Sequence, residues 1–175
     1  MPSYYTYLIA GLPVLHFAIK PPFAFERFIE ICRGFIPSGE LELLRSASIK
    51  GDYQGVSLPP TLEKWRSFDT ALRNELVKIR AVRLKEEPIG YLHQSRYLDA
   101  GLAHLAVSAC RNPSILEAER MLDEARWRFL EELSLGHYFD LDFLIVYAHK
   151  LLILERWEKV RVSDKPKVLA EITGG

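Results

Sequence analysis

Residues 60–86 read PTLEKWRSFDTALRNELVKIRAVRLKE. Leu62, Trp65, Phe68, Leu72, Leu76 and Ile79 recur every three or four residues along it. That spacing places them on one stripe of a helix of up to about seven turns. The segment from Ile115 to Leu133 repeats the pattern through Ile115, Ala118, Leu122, Ala125, Phe129 and Leu133. Asn112 ahead of it is a good N-cap residue, and Pro113 suits the first helical position.

Working outward, Phe25, Phe28, Ile29 and Cys32 form one helical face between the prolines at 22 and 37. Leu98, Leu102, Leu105, Ala106 and Ala109 form another that ends near Asn112. Glu40 to Ile49 predicts a short helix whose first turn carries Glu40 and Glu42, where the helix dipole favours them. The breaks fall at Pro21-Pro22, Pro37-Ser38-Gly39, Gly51 to Pro60, Pro88 to Gly90, Asn112-Pro113, Gly136 and Pro166. No stretch sustains a period-two alternation bounded by turns. Tyr4 to Ile9 and Gly51 to Leu58 are the only strand candidates. The expected fold is therefore all-α, a multi-helix bundle of about six to seven helices. It spans residues 1–175 as one domain, or as two packed lobes, 1–58 with the C-terminal helices and 59–136.

The segment from Leu141 to Leu154 differs from the others. Leu141, Phe143, Leu144, Ile145, Val146, Tyr147, Ala148 and Leu151 to Leu154 leave little polar face. A helix apolar nearly all round is either central in a bundle or covered by a partner. Asp142, His149 and Lys150 make it too short and too charged to span a membrane.

Composition sets the function classes. Hydrophobic residues make up 49% and charged residues 26%, the balance of an ordinary globular chain rather than a disordered one. Lys+Arg and Asp+Glu are 23 each. A phosphate-neutralising protein carries a basic surplus, so nucleic acid is not the expected partner. Cys32 and Cys110 stand alone, which points to buried, reduced thiols in a cytosolic protein. The apolar stretch Tyr4 to Ile19 lacks a basic leader and contains Pro13 and His16, so it reads as folded protein rather than as a signal or span.

Searches for chemistry return little. His16, His93, His104, His137 and His149 form no metal-ligand spacing. His93 and His104 are three turns apart, about 16 Å, too far to share an ion. There is no nucleophile elbow and no glycine-rich phosphate loop. Glu86-Glu87, Asp123-Glu124 and Glu131-Glu132 fall on the solvated faces of amphipathic helices. No catalytic, cofactor-binding or metal residue is assigned, and the chain is not expected to be an enzyme. The polar constellation that stands out lies within residues 71–85, where Arg73 and Arg80 are two helical turns apart with Arg83 beside them. Arginine forks suit carboxylates and phosphates, so the stripe could dock an acidic partner helix. The alternative is pairing with acids of the Glu117 to Glu132 helix, or plain solvation.

Several segments resemble a short bacterial family of uncharacterised proteins that accompany V-type (archaeal-type) ATPases. These are YYTYLIAGLP, the KPP that follows it, LRNELVKIRAVRL, AERMLDEARWRFLEEL and FDLDFLIVYAHKLLILERW. That family is similar to a shortened form of the V-type ATPase C-subunit family. Phe139, Asp142, Leu144, Ile145 and Tyr147, followed by Glu155 and Arg156, fit the repeated helical pattern of the C-subunit proteins. Asn74 followed by Arg80-Ala81 fits a second one. The acid expected three residues before Asn74 is absent, Asp69 lying two further back. Glu155 comes one residue late, and the chain is roughly half as long as a full C-subunit protein.

The resemblance implies helical repeat units like those of the C-subunit proteins, and a non-catalytic piece that couples or docks central-stalk components at the membrane ring. It would serve ion transport or ATP synthesis as a cytoplasmic protein, peripheral to the membrane through its partner subunits only. Arg73, Asn74, Arg80, Arg83, Glu155 and Arg156 are the partner-binding candidates. The alternatives are an assembly or regulatory factor for the same ATPase, or an unrelated enzyme whose site is assembled across helices.

Overall fold

The computed structural model describes residues 4–47 and 58–173, with side chains as far as Ser163. Every regular element among them is helical. The elements are α1 (Thr6–Ala10), α2 (Phe25–Arg33), α3 (Ser38–Ser46), α4 (Pro60–Leu84), α5 (Ala100–Arg111), α6 (Ile115–Leu133) and α7 (Leu141–Thr173), with a 3₁₀ turn over Pro88–Tyr91. The protein is all-α. Its described residues form two compact units, 4–47 with 134–173 and 58–133.

The second unit is built on α4. Pro60 occupies the first turn, where its missing N–H costs nothing. Leu62, Trp65, Phe68, Leu72 and Leu76 are buried, as their spacing requires. At the other end Lys85 adopts the left-handed conformation, φ 58°, and Glu86 N–H donates to the Ala81 carbonyl at 3.0 Å. These contacts close the last turn and satisfy carbonyls that would otherwise lack donors. The chain then doubles back along α4. Asn74 takes both backbone groups of His93, and Ser67 Oγ accepts from Arg96 N–H at 3.0 Å. From there α5 runs parallel to α4, so that Cys110 lies against Arg83. Helix α6 returns antiparallel, bringing Arg126 and Phe129 to Asp69 and Phe68.

The core of this unit is aromatic. Phe68 and Phe129 stack with centroids 4.0 Å apart, and Tyr97 stands edge-on to both at 5.3 Å. A charged network lies beside it. Arg126 donates through Nε to Asp69 (2.9 Å) and through Nη1 to the fully buried Asp123 (3.0 Å), while Arg73 meets Asp69 at 2.8 Å.

The first unit is organised by α7. Leu144 to His149, Leu151, Ile153 and Leu154 are buried, with Phe28, Ile29 and Cys32 of α2 and Leu44 of α3 also in this core. The nearly all-apolar segment is thus a core helix. Tyr147 packs its ring against Phe28 at 5.2 Å and donates its hydroxyl to the Pro13 carbonyl at 2.9 Å. This contact holds the irregular stretch after α1 onto the helix. The N-terminus of α7 is capped by Asp140, whose Oδ1 accepts from Phe143 N–H at 3.1 Å.

Several expectations are corrected. Tyr4 to Ile9, a strand candidate, contains a helical turn from Thr6; the other candidate, Gly51 to Leu58, and the end of the Glu40 to Ile49 helix lie largely outside the described residues. Asn112 does not cap α6. It ends α5, and its Oδ1 accepts from Ser114 N–H, leaving Ser114 Oγ to accept from Glu117 N–H at 3.3 Å. Leu98 precedes α5 and Ile115 opens α6, and both are exposed rather than core. Pro166 does not break α7, whose backbone stays helical to Thr173. The helix forgoes one i→i−4 bond there, the loss that usually ends helices at proline. Cys110 is half-buried, unlike Cys32.

Candidate functional site

The six partner-binding candidates divide between the units. Arg73 is tied to Asp69 one turn back on its own helix. Asn74 is occupied as a backbone clamp on His93, with bonds of 2.7 and 3.0 Å. Glu155 accepts from the Phe25 N–H at 2.6 Å, so it serves the first turn of α2, where a carboxylate is favoured by the dipole. Arg156 is exposed on α7. Arg80 and Arg83 remain. Both are exposed, and neither forms an ion pair among the described residues. Arg83 Nη2 donates to the Cys110 carbonyl at 2.5 Å. The acids of α6 therefore do not neutralise this end of α4. An ion pair between the two helices runs the other way, from Arg126 on α6 to Asp69 on α4.

Beside Arg83 lies a groove of about 320 Å³ in the valley between α4 and α5. Ile79, Val82 and Val107 supply its apolar surface, and Lys78, Arg83 and Arg111 its charge. The pairs 78/82, 79/83 and 107/111 are each one turn apart, so the valley follows two parallel helices. Val82 is 76% exposed. Sequence reasoning found Arg80 and Arg83 but missed Lys78, Val107 and Arg111. One signal was present: the α4 apolar stripe continues from Ile79 to Val82, beyond the part of the helix that its own unit covers.

The remaining groups with shifted titration are buried or half-buried. Burial pushes the Cys32 thiol up to about 12, which keeps it protonated and unreactive at neutral pH. Tyr147 is raised by burial and then by the neighbouring Cys32. Tyr97 is raised by burial, by Asp99 and by Glu132. Among the described residues, His137, Asp140 and Asp142 form the one group with metal-ligand character, their nearest donor atoms within 4.8 Å of one another. His137 Nδ1 lies 2.7 Å from Asp140 Oδ2 and 3.7 Å from Asp142 Oδ2, and Asp142 Oδ1 is buried with no hydrogen-bond partner among the described residues. The cluster sits at the N-terminus of α7, where the helix end is positive. That field favours the carboxylates as caps and opposes a cation.

Residues 102–173 match the model of a family described as "Protein of unknown function (DUF2764)". The match runs from the first turn of α5 through α6 and α7, less than half of the chain. It places that portion in the likeness of an uncharacterised family. Comparisons with curated proteins and with solved structures return no match. Among the described residues, no helix is long and apolar enough to cross a membrane.

Proposed function

We propose that this chain is a non-catalytic docking protein of a V-type ATPase, a cytoplasmic piece that binds rotor or central-stalk subunits and reaches the membrane only through them. The observation that carries the reading is the exposed end of α4, where Arg83 lines a largely apolar groove, Arg80 is exposed one turn earlier, and neither forms an ion pair among the described residues. It lies within LRNELVKIRAVRL, one of the segments that resemble the ATPase-associated family. A protein that works by docking needs exposed apolar and charged surface that its own core does not consume.

The test is affinity purification of the tagged chain from its native cells under mild conditions. ATPase stalk subunits are expected to co-purify. Recovery in a fixed ratio with the intact enzyme marks a resident subunit, and recovery only with incomplete enzyme marks an assembly factor. A preparation free of every ATPase subunit defeats the proposal.

A further inference from the structure

The geometry points to the α4/α5 groove as the seat of an acidic amphipathic helix from a protein partner, an inference that rests on the docking reading and specifies the chemistry of what docks. The charge argument comes first. None of the six lining residues is a carboxylate. Lys78 is matched by Glu75 at 2.6 Å on its own helix, but Arg83 and Arg111 have no ion-pair partner among the described residues. Both stand in the last turn of their helices, whose C-termini each present about half a negative charge. Two full guanidinium charges exceed that, and Arg80 nearby on α4 adds a third. Arg83 is also steadied by Cys110 while keeping further N–H donors in its planar fork. It is thus ordered before a carboxylate arrives, which lowers the entropic cost of a charge-assisted pair.

Shape then selects the class of anion. Small ligands occupy cavities that bury most of their surface. Here the groove wall at Val82 is 76% exposed. Such an open valley between two parallel helices matches the ridge of a third helix. A flat anionic bilayer could not enter it, and the chain as a whole carries no net charge to hold it at such a surface. The exposed Ile115 and Leu116 open α6 at the same end of the unit, just past the turn after Arg111.

The test is selection of helical peptides of about four turns from a displayed library of unbiased charge, using the full-length chain as bait. The selected peptides are expected to carry net negative charge, with apolar anchors at i, i+3 or i+4, and i+7. Val82→Glu and Arg111→Glu should each weaken the best peptide by about tenfold or more, with helicity by circular dichroism unchanged. Failure to enrich any peptide, enrichment of neutral or basic peptides, or variants that bind as well as the parent would overturn the inference. So would sedimentation with phosphatidylglycerol vesicles that Arg111→Glu abolishes, which would assign the groove to lipid. The same variants separate this inference from the broader one. If ATPase subunits co-purify equally with parent and variants, the groove assignment falls and the docking reading stands. If acidic peptides are selected but no ATPase subunit is recovered, the reverse holds.

Discussion

Arg126 is shared by two carboxylates, and one of them, Asp123, has no solvent exposure. A buried carboxylate survives only where charge and hydrogen bonds replace the water it has lost. Arg126→Ala removes that cation and is expected to cost about 3–5 kcal/mol, read as a lower denaturant midpoint. Arg126→Lys should recover only part of this, because one ammonium cannot reproduce the fork that reaches both Asp69 and Asp123. A second residue-scale prediction concerns Cys32. Its folded value, about 12, lies above the ordinary 9.0, so the folded state holds the proton more tightly than the unfolded one. The corresponding stability is fully present below pH 9 and is lost progressively as pH rises toward 12. Tyr147 contributes with the same sign. Cys32 alone gives a slope of at most about 1.4 kcal/mol per pH unit in that window, and Tyr147, whose ordinary value is 10.0, adds to it only above about pH 10. Urea titrations across it should show the decline, and Cys32→Ala should make it shallower.

At the scale of the element, the helical periods were legible because burial follows spacing. The faces of α2 and of α4 as far as Leu76 emerged from three-and-four spacing alone, and the limits of α6 matched their segment. The ends were harder to read, because caps depend on which donor reaches which acceptor. Asn112 looks like a cap for α6 in sequence, yet a shift of two residues gives that role to Ser114. Leu98 and Ile115 kept the period of their helices but fell outside the covered part. Lys85 was not legible at all, since nothing in its side chain announces a left-handed residue. It occupies the position after α4 where glycine is usual, and an L side chain there carries steric strain. Lys85→Gly should therefore stabilise the protein by about 0.5–1 kcal/mol, measured as a raised midpoint in denaturant. A fall in stability would mean that the Lys85 side chain makes a contribution larger than the strain.

At the scale of the whole molecule, a chain with no net charge has little long-range attraction for a partner. Its electrostatics must act locally. The candidate site was half legible for the same reason: Arg80 and Arg83 share a helix face with Arg73, but Arg111 arrives from α5 only through the parallel return of the chain. Likewise, Asn74 and Glu155 read as contact residues in sequence and turn out to be engaged with backbone N–H groups inside their own units. What remains exposed is a compact set of cations around apolar side chains, and these two components respond differently to salt. Screening shortens the reach of charge from about 10 Å at 0.1 M to about 3 Å at 1 M, whereas apolar burial does not weaken. Partner binding through this surface should therefore fall with added sodium chloride, mainly through slower association, and level off at a residual affinity carried by Ile79, Val82 and Val107. Surface plasmon resonance across a salt series checks this. Arg111→Glu should flatten the salt dependence, while Val82→Glu should lower the residual affinity at high salt. An affinity independent of salt in the parent chain would remove the arginines from the interface.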